Sequence, residues 1–211
     1  IIKLNSQLQV EWQKLLGGSE WEEYPFIIDH ENAFYVFSYS NSPVSGVKTV
    51  PLYSNADFWV IKIDYSGNEI WQKAYYPDAS FGVNEMTVVS AGDNIIFASS
   101  TRSGIGGMKT DTCRGFDDVW MLSIDTAGNL LWEKTIGGSY IDRVSSLNYL
   151  ENQNVLIVNM RCSSGVSGDI QIPQFESFVG LNDYMIFVLD LTSGSLLNQY
   201  RFGGSADDDI I

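Results

Sequence analysis

The sequence predicts an all-β protein, a β-propeller made of four-stranded antiparallel blades of about 60 residues each. Two observations predict this class. A strand–turn–strand pattern recurs three times along the 211 residues, and the apolar positions alternate with period two instead of following helical spacing. Radial repetition of small sheets is one of the few arrangements that protect the strand edges of an all-β chain.

The repeated pattern begins at an Asp, continues as an alternating apolar strand and reaches a second Asp seven residues later. A glycine-containing turn then leads into another strand. The three copies are 57–73, 118–134 and 183–200, and the second half of an earlier copy lies in 2–14. One position of the repeat is occupied by Trp12, Trp71, Trp132 and Asn198. The intervals between these residues are 59, 61 and 66.

A second marker has the same phase. Gly-Gly-Ser follows five residues after three of these four positions, and an acidic residue follows three residues after each serine. The acids are Glu22, Asp142 and Asp208, whereas the remaining copy reads Tyr76-Pro77-Asp78 at this place. No helix and no phosphate-loop lysine follows the glycines, so we expect a crossover between blades and not a phosphate site.

Each complete unit contains four strand-like runs separated by turn residues. The predicted strands are Tyr24–Asp29, Ala33–Tyr39, Phe58–Asp64 and Glu69–Tyr75, then Glu85–Val89, Asn94–Ser99, Val119–Asp125 and Leu130–Ile136, and finally Val144–Leu150, Val155–Met160, Tyr184–Asp190 and Leu196–Phe202. The predicted blades are 17–75, 76–136 and 137–202, with the end of another blade in 1–16 and the start of a further one in 203–211. A ring closes with about 4 to 8 blades. We therefore expect one partial propeller domain and a longer native chain.

The composition excludes several classes of function. Lys and Arg number 12 and Asp and Glu number 26, which gives a net charge of −14 and a pI near 4.2. A nucleic-acid or anionic-membrane binder needs clustered cations. The 45% hydrophobic content suffices for a packed core, and no apolar run approaches the roughly 18 residues of a membrane helix.

Five repeated residues are expected to be structural. Trp71 and Trp132 stand on fourth strands, where a large flat ring fills the wedge between neighbouring blades and buries roughly 150 to 250 Å². Asp64, Asp125 and Asp190 begin the hairpin turns, because Asp accepts hydrogen bonds from backbone amides ahead of it and the following glycine tolerates positive φ.

Antiparallel connectivity places the crossovers and the long loops between the second and third strands on one face, the loop face. The long loops are 41–56, 101–117 and 162–182, and variable loops on a rigid scaffold are where recognition usually occurs. Candidate partner-binding residues in them are Lys48, Tyr53, Arg102, Lys109, Arg114, Phe175 and Phe178. The alternative is that these loops are solvated spacers.

The chain offers few groups for catalysis or metal binding. Cys113 and Cys162 both project to the loop face, where they form either one disulfide or two free thiols. His30, the one histidine, lies on the opposite face, so a Cys–His dyad is not expected and the protein is predicted not to be an enzyme. No catalytic, cofactor-binding or metal-ligating residue is assigned. Acidic clusters, of which 20–23 is one, supply oxygen ligands of the kind that calcium takes, and the alternative is a solvated acidic rim.

The pattern D-[FYV]-W-x-x-x-[IL]-D-x-x-G-N-x-x-W-x-K followed by GGS-x-x-[DE] resembles the repeats of large secreted or surface-exposed bacterial β-propeller proteins, especially those of the Bacteroidota. The resemblance covers essentially the whole chain. A looser likeness is to PQQ-like propellers, through the spacing of Asp190 and Thr192-Ser193-Gly194. In two other copies the Asp-to-Trp interval is one residue shorter than in those quinoproteins, so this likeness implies the fold and not the cofactor.

The resemblance implies an extracellular or outer-membrane-associated cell-surface protein that does not span the membrane. The leading hypothesis is a non-enzymatic binding or adhesion scaffold for protein or glycan partners. The alternative is a subunit or cargo of an outer-membrane assembly or secretion complex. A third hypothesis is a PQQ-like oxidoreductase, which requires a full ring, an axial channel lined with Arg and acids, and calcium.

Overall fold

The computed structural model describes residues 1–77, 83–175, 181–204 and 206–208. Its secondary structure is 54% strand and 2% helix. The strands are β1 (Ile2–Leu4), β2 (Val10–Gln13), β3 (Glu22–His30), β4 (Ala33–Ser40), β5 (Asp57–Asp64), β6 (Glu69–Tyr75), β7 (Val83–Ala91), β8 (Asn94–Thr101), β9 (Asp118–Ile124), β10 (Leu130–Ile136), β11 (Asp142–Leu150), β12 (Val155–Cys162), β13 (Asp183–Asp190) and β14 (Leu196–Phe202). One short 3-10 turn, Glu151–Gln153, precedes β12.

The described strands form three four-stranded antiparallel meanders and one hairpin. The first sheet is β3 to β6, the second is β7 to β10 and the third is β11 to β14, each in sequence order, while β1 pairs with β2. All twelve predicted strands are confirmed, with ends that differ by at most two residues. Period-two alternation succeeds here because each sheet presents alternate side chains to opposite faces. The sheets are blade-like.

The chain divides into two compact units, 1–79 and 80–211. In the first unit, Trp59, Ile61 and Ile63 form a buried cluster against which Trp12 packs. In the second unit, side chains of the second and third sheets form one continuous core whose centre includes Met121 and Phe187. Among the described residues no helix is long and apolar enough to cross a membrane.

Candidate functional site on the loop face

A hydrogen-bonded clasp joins the third sheet's long loop, 163–182, to the crossover that enters β11. The Ser164 hydroxyl accepts from the Tyr140 N–H at 2.8 Å and donates to the Asp142 carboxylate at 2.7 Å. The same carboxylate accepts from the Gly138 N–H at 2.7 Å. One serine and one acid therefore fix the long loop on the crossover, and both lie on the same end of the sheet.

The first sheet repeats this clasp. Ser42 donates to Glu22 at 2.7 Å, and Glu22 accepts from the Gly18 N–H at 3.2 Å. A Cβ on Gly18 would lie 2.3 Å from the Ser42 Cβ, and one on Gly138 would lie 2.6 Å from the Ser164 Cβ. The second glycine of the Gly-Gly-Ser marker is therefore required because the loop serine occupies its side-chain space.

The turn aspartates lie at the opposite end of the sheets. Asp64 accepts from the Asn68 N–H and Asp125 from the Asn129 N–H, both at 2.7 Å. Asp190 accepts from the Ser193 hydroxyl at 2.6 Å and from the Ser193 N–H at 2.8 Å. These hydrogen bonds lower the pKa of Asp64 and of Asp190, since they stabilise the ionised carboxylate.

The tryptophan of one sheet contacts the turn of the next. The Trp132 indole N–H donates to the Leu191 carbonyl oxygen at 3.0 Å. Its ring covers Gly194, where a Cβ would lie 3.0 Å from the ring and where φ is +67°. Trp71, at the equivalent position of the first sheet, meets Tyr35 edge-on with ring centroids 5.8 Å apart.

Two cations assigned to partner binding are buried. Lys48 and Lys109 are each 1% exposed. The Lys48 ammonium donates to the carbonyl oxygens of Ser42 at 2.8 Å and Val50 at 3.0 Å, and the Lys109 ammonium donates to that of Asp111. Burial lowers the pKa of both lysines. This corrects the prediction that they face a partner: they hold their long loops from inside.

The third sheet supplies the same charge from another position. Lys48 and Lys109 are 61 residues apart, and the position 61 residues further on is Ile170. The third loop therefore has no lysine at the equivalent position. Arg201 of β14 instead donates to the carbonyl oxygens of Ser164 and Ile172, both at 2.9 Å, and to Asp183 at 2.5 Å. Sequence reasoning missed Arg201. The signal that could have revealed it is the loss of the loop lysine in the copy that gains a strand arginine.

Arg114 joins two long loops. Its guanidinium pairs with Asp111 at 2.8 Å within its own loop and with Asp169 of the third sheet's loop at 3.2 Å. The side chain is 24% exposed. Since both acids are already bound to it, this predicted recognition residue also stabilises the arrangement of the loops.

The aromatic candidates are placed differently. Tyr53 is exposed, and its ring stacks on that of Tyr76 with centroids 4.4 Å apart and planes inclined by 11°. Phe175 is exposed. Phe178 lies outside the described residues.

Both cysteines are free thiols, so the predicted alternative of a disulfide is not formed. The Cys113 thiol donates to the Thr101 carbonyl oxygen at 3.0 Å, whereas Cys162 is fully buried at the end of β12. Burial raises the pKa of Cys113 to about 11 and also raises that of Cys162. The two side chains serve different sheets and have separate partners.

A small polar cleft opens beside the crossover into the third sheet. It has a volume of about 180 Å³ and we call it the arginine cleft. Its lining residues are Tyr140, Ile141, Arg143, Arg161, Ser163 and Asn182. The two lining arginines are not recognisable from the sequence, because both lie on strands, where single polar residues carry no motif.

The charges around the arginine cleft favour an anion. Arg143 donates to Asp117 through Nη2 at 2.8 Å, and Arg102 pairs with the same buried carboxylate at 2.7 Å. One acid is therefore shared by two guanidinium groups. Arg161 pairs with Glu85 at 3.0 Å. The side chains of Arg143 and Arg161 are 34% and 31% exposed, so both are partly open to solvent.

Residues of metal-ligating type do not gather in the described ranges. Within 1–77, 83–175, 181–204 and 206–208, no group of three or more His, Cys, Asp or Glu side chains could hold a metal ion. His30 ends β3 and packs edge-on against Tyr35, with ring centroids 5.9 Å apart. The calcium expectation from the acidic clusters stays a prediction.

No family model matches the sequence, and no curated protein matches it. Among solved structures, a variant of the Synechocystis apocarotenoid oxygenase aligns with 94% of this chain and 43% of its own, at 12% identity and a TM-score of 0.49. A chimera of that oxygenase with RPE65 aligns with 92% of this chain and 42% of its own, at 14% identity and a TM-score of 0.48. A DUF4221 protein from Bacteroides vulgatus aligns at 8% identity, over 87% of this chain and 82% of its own, with a TM-score of 0.27.

These alignments correct one expectation. The predicted non-enzymatic binding or adhesion protein is contradicted, because the solved structures with the higher TM-scores are named as oxygenases, which are enzymes. The chain spans less than half the length of those oxygenases. With TM-scores below 0.5, the alignments assign no reaction to this chain.

Proposed function

We propose that the chain is part of a bacterial cell-surface β-propeller that binds an acidic sugar of a glycan in the arginine cleft. Receptors bind their ligands in this way, and so do enzymes that bind a substrate before reacting with it. The successive four-stranded meanders and the seating of Trp132 on the next sheet's turn support the propeller arrangement. The sequence resemblance to exported Bacteroidota repeats supports the location.

The observation that carries the proposal is a pair of partly exposed guanidinium groups in a 180 Å³ cleft of a protein whose net charge is −14. Guanidinium binds carboxylate through two parallel N–H donors. Since Asp117 is shared by Arg102 and Arg143, the cleft retains positive charge for a ligand. Its volume suits one charged group and not a whole oligosaccharide.

Aromatic surface beside the cleft favours a sugar as the bearer of that charge. Tyr140 lines the cleft and meets the exposed Phe116 edge-on, with ring centroids 5.5 Å apart. Ligand sites commonly combine apolar rings with a few placed polar groups. The side chains of Ser163 and Asn182 complete the polar lining.

Calorimetric titration with galacturonate and N-acetylneuraminate tests the proposal, with galactose and inorganic phosphate as probes of sugar and charge alone. We expect binding at about millimolar Kd, near −4 kcal/mol, for the acidic sugars. Arg143→Gln and Arg161→Gln should abolish it. Lys3→Gln is the control, because Lys3 is also a partly exposed cation in an ion pair yet does not line the cleft. Absence of binding to both acidic sugars, or equal loss in the control, would overturn the proposal; binding of phosphate but not of the sugars would reject the sugar assignment.

A further inference from the structure

The two arginines of the arginine cleft lie opposite each other on neighbouring strands. Arg143 of β11 and Arg161 of β12 are cross-strand partners. The equivalent register positions hold Glu23 and Tyr39 in the first sheet, and Asn84 and Ser100 in the second. The repeat therefore does not require arginine at these positions, and like charges placed directly opposite each other cost stability.

Each of these arginines pairs with an acid from the second sheet or its long loop. Arg143 donates to Asp117 through Nε at 3.2 Å and through Nη2 at 2.8 Å. Arg161 Nη2 donates to Glu85 Oε1 at 3.0 Å. The Asp117 side chain is 0% exposed, whereas that of Glu85 is 40% exposed. A buried carboxylate is costly to leave unpaired, but an exposed ion pair breaks at little cost. Arg161 is therefore the arginine that can change partners.

A β-bulge directs Glu85 toward Arg161. The pairing of β7 with β8 shifts register between Asn84 and Thr87, and Glu85 within this bulge has a φ of +62°. This left-handed conformation is uncommon for a residue with a side chain. A bulge turns a side chain out of the regular alternation of its strand. Glu85 thereby reaches Arg161 in the third sheet, 76 residues away in the chain.

The bulge belongs to the repeat, but the acid on it does not. β3 has the same shift of register between Glu23 and Phe26, and Tyr24 within that bulge has a φ of +50°. Tyr24 follows Glu23 as Glu85 follows Asn84, so the two residues are equivalent. The first sheet thus places an aromatic ring where the second sheet places a carboxylate. The charge of Glu85 is therefore specific to the junction that holds the arginine cleft.

The junction between the second and third sheets has other bonds besides the Glu85 ion pair. The Val144 N–H of β11 donates to the Ser100 hydroxyl of β8 at 3.0 Å. The Asp142 N–H donates to the Asp117 carbonyl oxygen at 2.6 Å. These bonds are unaffected when Arg161 changes partners, so such an exchange leaves the two sheets in place.

We propose that Glu85 is a built-in competitor for the arginine cleft: it pairs with Arg161 in the ligand-free protein, and the carboxylate of the ligand displaces it while Arg143 stays on Asp117. This inference rests on the proposed binding of an acidic sugar. Arg143 binds the ligand from a fixed position, and Arg161 exchanges one carboxylate for another. The affinity is therefore reduced by the cost of releasing Glu85. A carboxylate that binds both arginines meets this cost better than an anion that binds only one.

Three variants test the proposal in NMR titrations with galacturonate. Glu85→Gln removes the competing charge and should tighten binding about two- to fivefold, the change that corresponds to one exposed ion pair. Glu85→Asp keeps the charge but is one methylene shorter, so it should also tighten binding, whereas an effect of net charge alone would leave its Kd unchanged. Glu11→Gln is the matched control, because Glu11 is 41% exposed and pairs with Lys3 at 2.8 Å. Its Kd should equal that of the wild type.

The side-chain carboxyl ¹³C signal of Glu85 reports its displacement directly. In the wild type we expect this signal to shift and saturate together with the Arg161 Nε–H signal, while that of Glu11 stays in place. A Glu85 signal that does not move, no tightening in Glu85→Asp, or equal tightening in Glu11→Gln would overturn the competitor role and leave the proposed function standing. Binding by Glu85→Gln but not by the wild type would support the competitor role and reject the proposed function of the wild type. No binding by the wild type or any variant would overturn both.

Discussion

Trp132 donates its indole N–H to the Leu191 carbonyl oxygen at 3.0 Å, which bonds the last strand of the second sheet to the turn of the third. Trp12 does the same to the Tyr65 carbonyl oxygen at 2.9 Å. Each accepting residue directly follows a turn aspartate. In both contacts the tryptophan of one sheet therefore bonds the turn that the aspartate of the next sheet begins.

Replacing Trp132 should separate the hydrogen bond from the ring contact. Trp132→Phe loses the indole donor, and we expect unfolding free energy to fall by about 1 kcal/mol. Trp132→Ala also loses the ring over Gly194 and should cost about 3 kcal/mol. Urea unfolding measures both, with Trp21→Phe at an exposed site as the control. Equal costs for the Phe and Ala variants would contradict this account.

The first glycine of the Gly-Gly-Ser marker should not accept a side chain. A Cβ on Gly137 would lie 2.2 Å from a buried Asp118 oxygen, whereas one on Gly104 would have no heavy atom within 4 Å. We expect Gly137→Ala to cost about 2 kcal/mol or more of unfolding free energy and Gly104→Ala to cost nothing measurable. Chemical denaturation of the two variants compares them directly, and a tolerated Gly137→Ala would argue against the close approach of Gly137 to Asp118.

The buried lysine of the first sheet should be structural. Lys48→Met removes the donor to the carbonyl oxygens of Ser42 and Val50. Buried acceptors left without a donor should cost about 2 kcal/mol of unfolding free energy. Lys3→Met, at a partly exposed ion pair with Glu11, should cost about 0 to 1 kcal/mol. If Lys48→Met weakened acidic-sugar binding without lowering stability, the lysine would belong to a binding site after all.

Both thiols should be unreactive in the folded protein. With its pKa raised to about 11, Cys113 is about one thousandth thiolate at pH 8, and the thiolate is the reacting species. Cys162 is fully buried. A disulfide-exchange reagent should label the partly exposed Cys113 about 100-fold more slowly than an ordinary thiol, and it should label Cys162 only as fast as the protein unfolds. Rapid labelling of native protein would show that the loops open locally.

The sequence predicted the sheets well because the repeat reports backbone periodicity directly. Alternating apolar positions, turn aspartates and the Gly-Gly-Ser marker each reflect a local rule of strand, turn or close packing, and the strands were found within two residues of their predicted ends. Residues that obey no local rule were misjudged. Lys48 and Lys109 stand in polar loops, and only the folded loop shows that their ammonium groups point inward to carbonyl oxygens.

The arginine cleft could not be predicted because it depends on distant partners. Arg143 and Arg161 become neighbours only when β11 pairs with β12, where they are cross-strand partners. Their charge balance is set by Asp117 and Glu85, which lie 26 and 76 residues away in the chain. No spacing pattern encodes such a balance, whereas a hairpin turn is encoded within a few residues.

The most direct test of acidic-sugar binding is a ¹⁵N side-chain spectrum of arginine during titration with galacturonate. The account predicts that the Nε–H signals of Arg143 and Arg161 shift together and saturate, while those of Arg102 and Arg201 stay in place. Signals that do not move, or equal shifts of all four arginines, would contradict the assignment of the arginine cleft as the binding site.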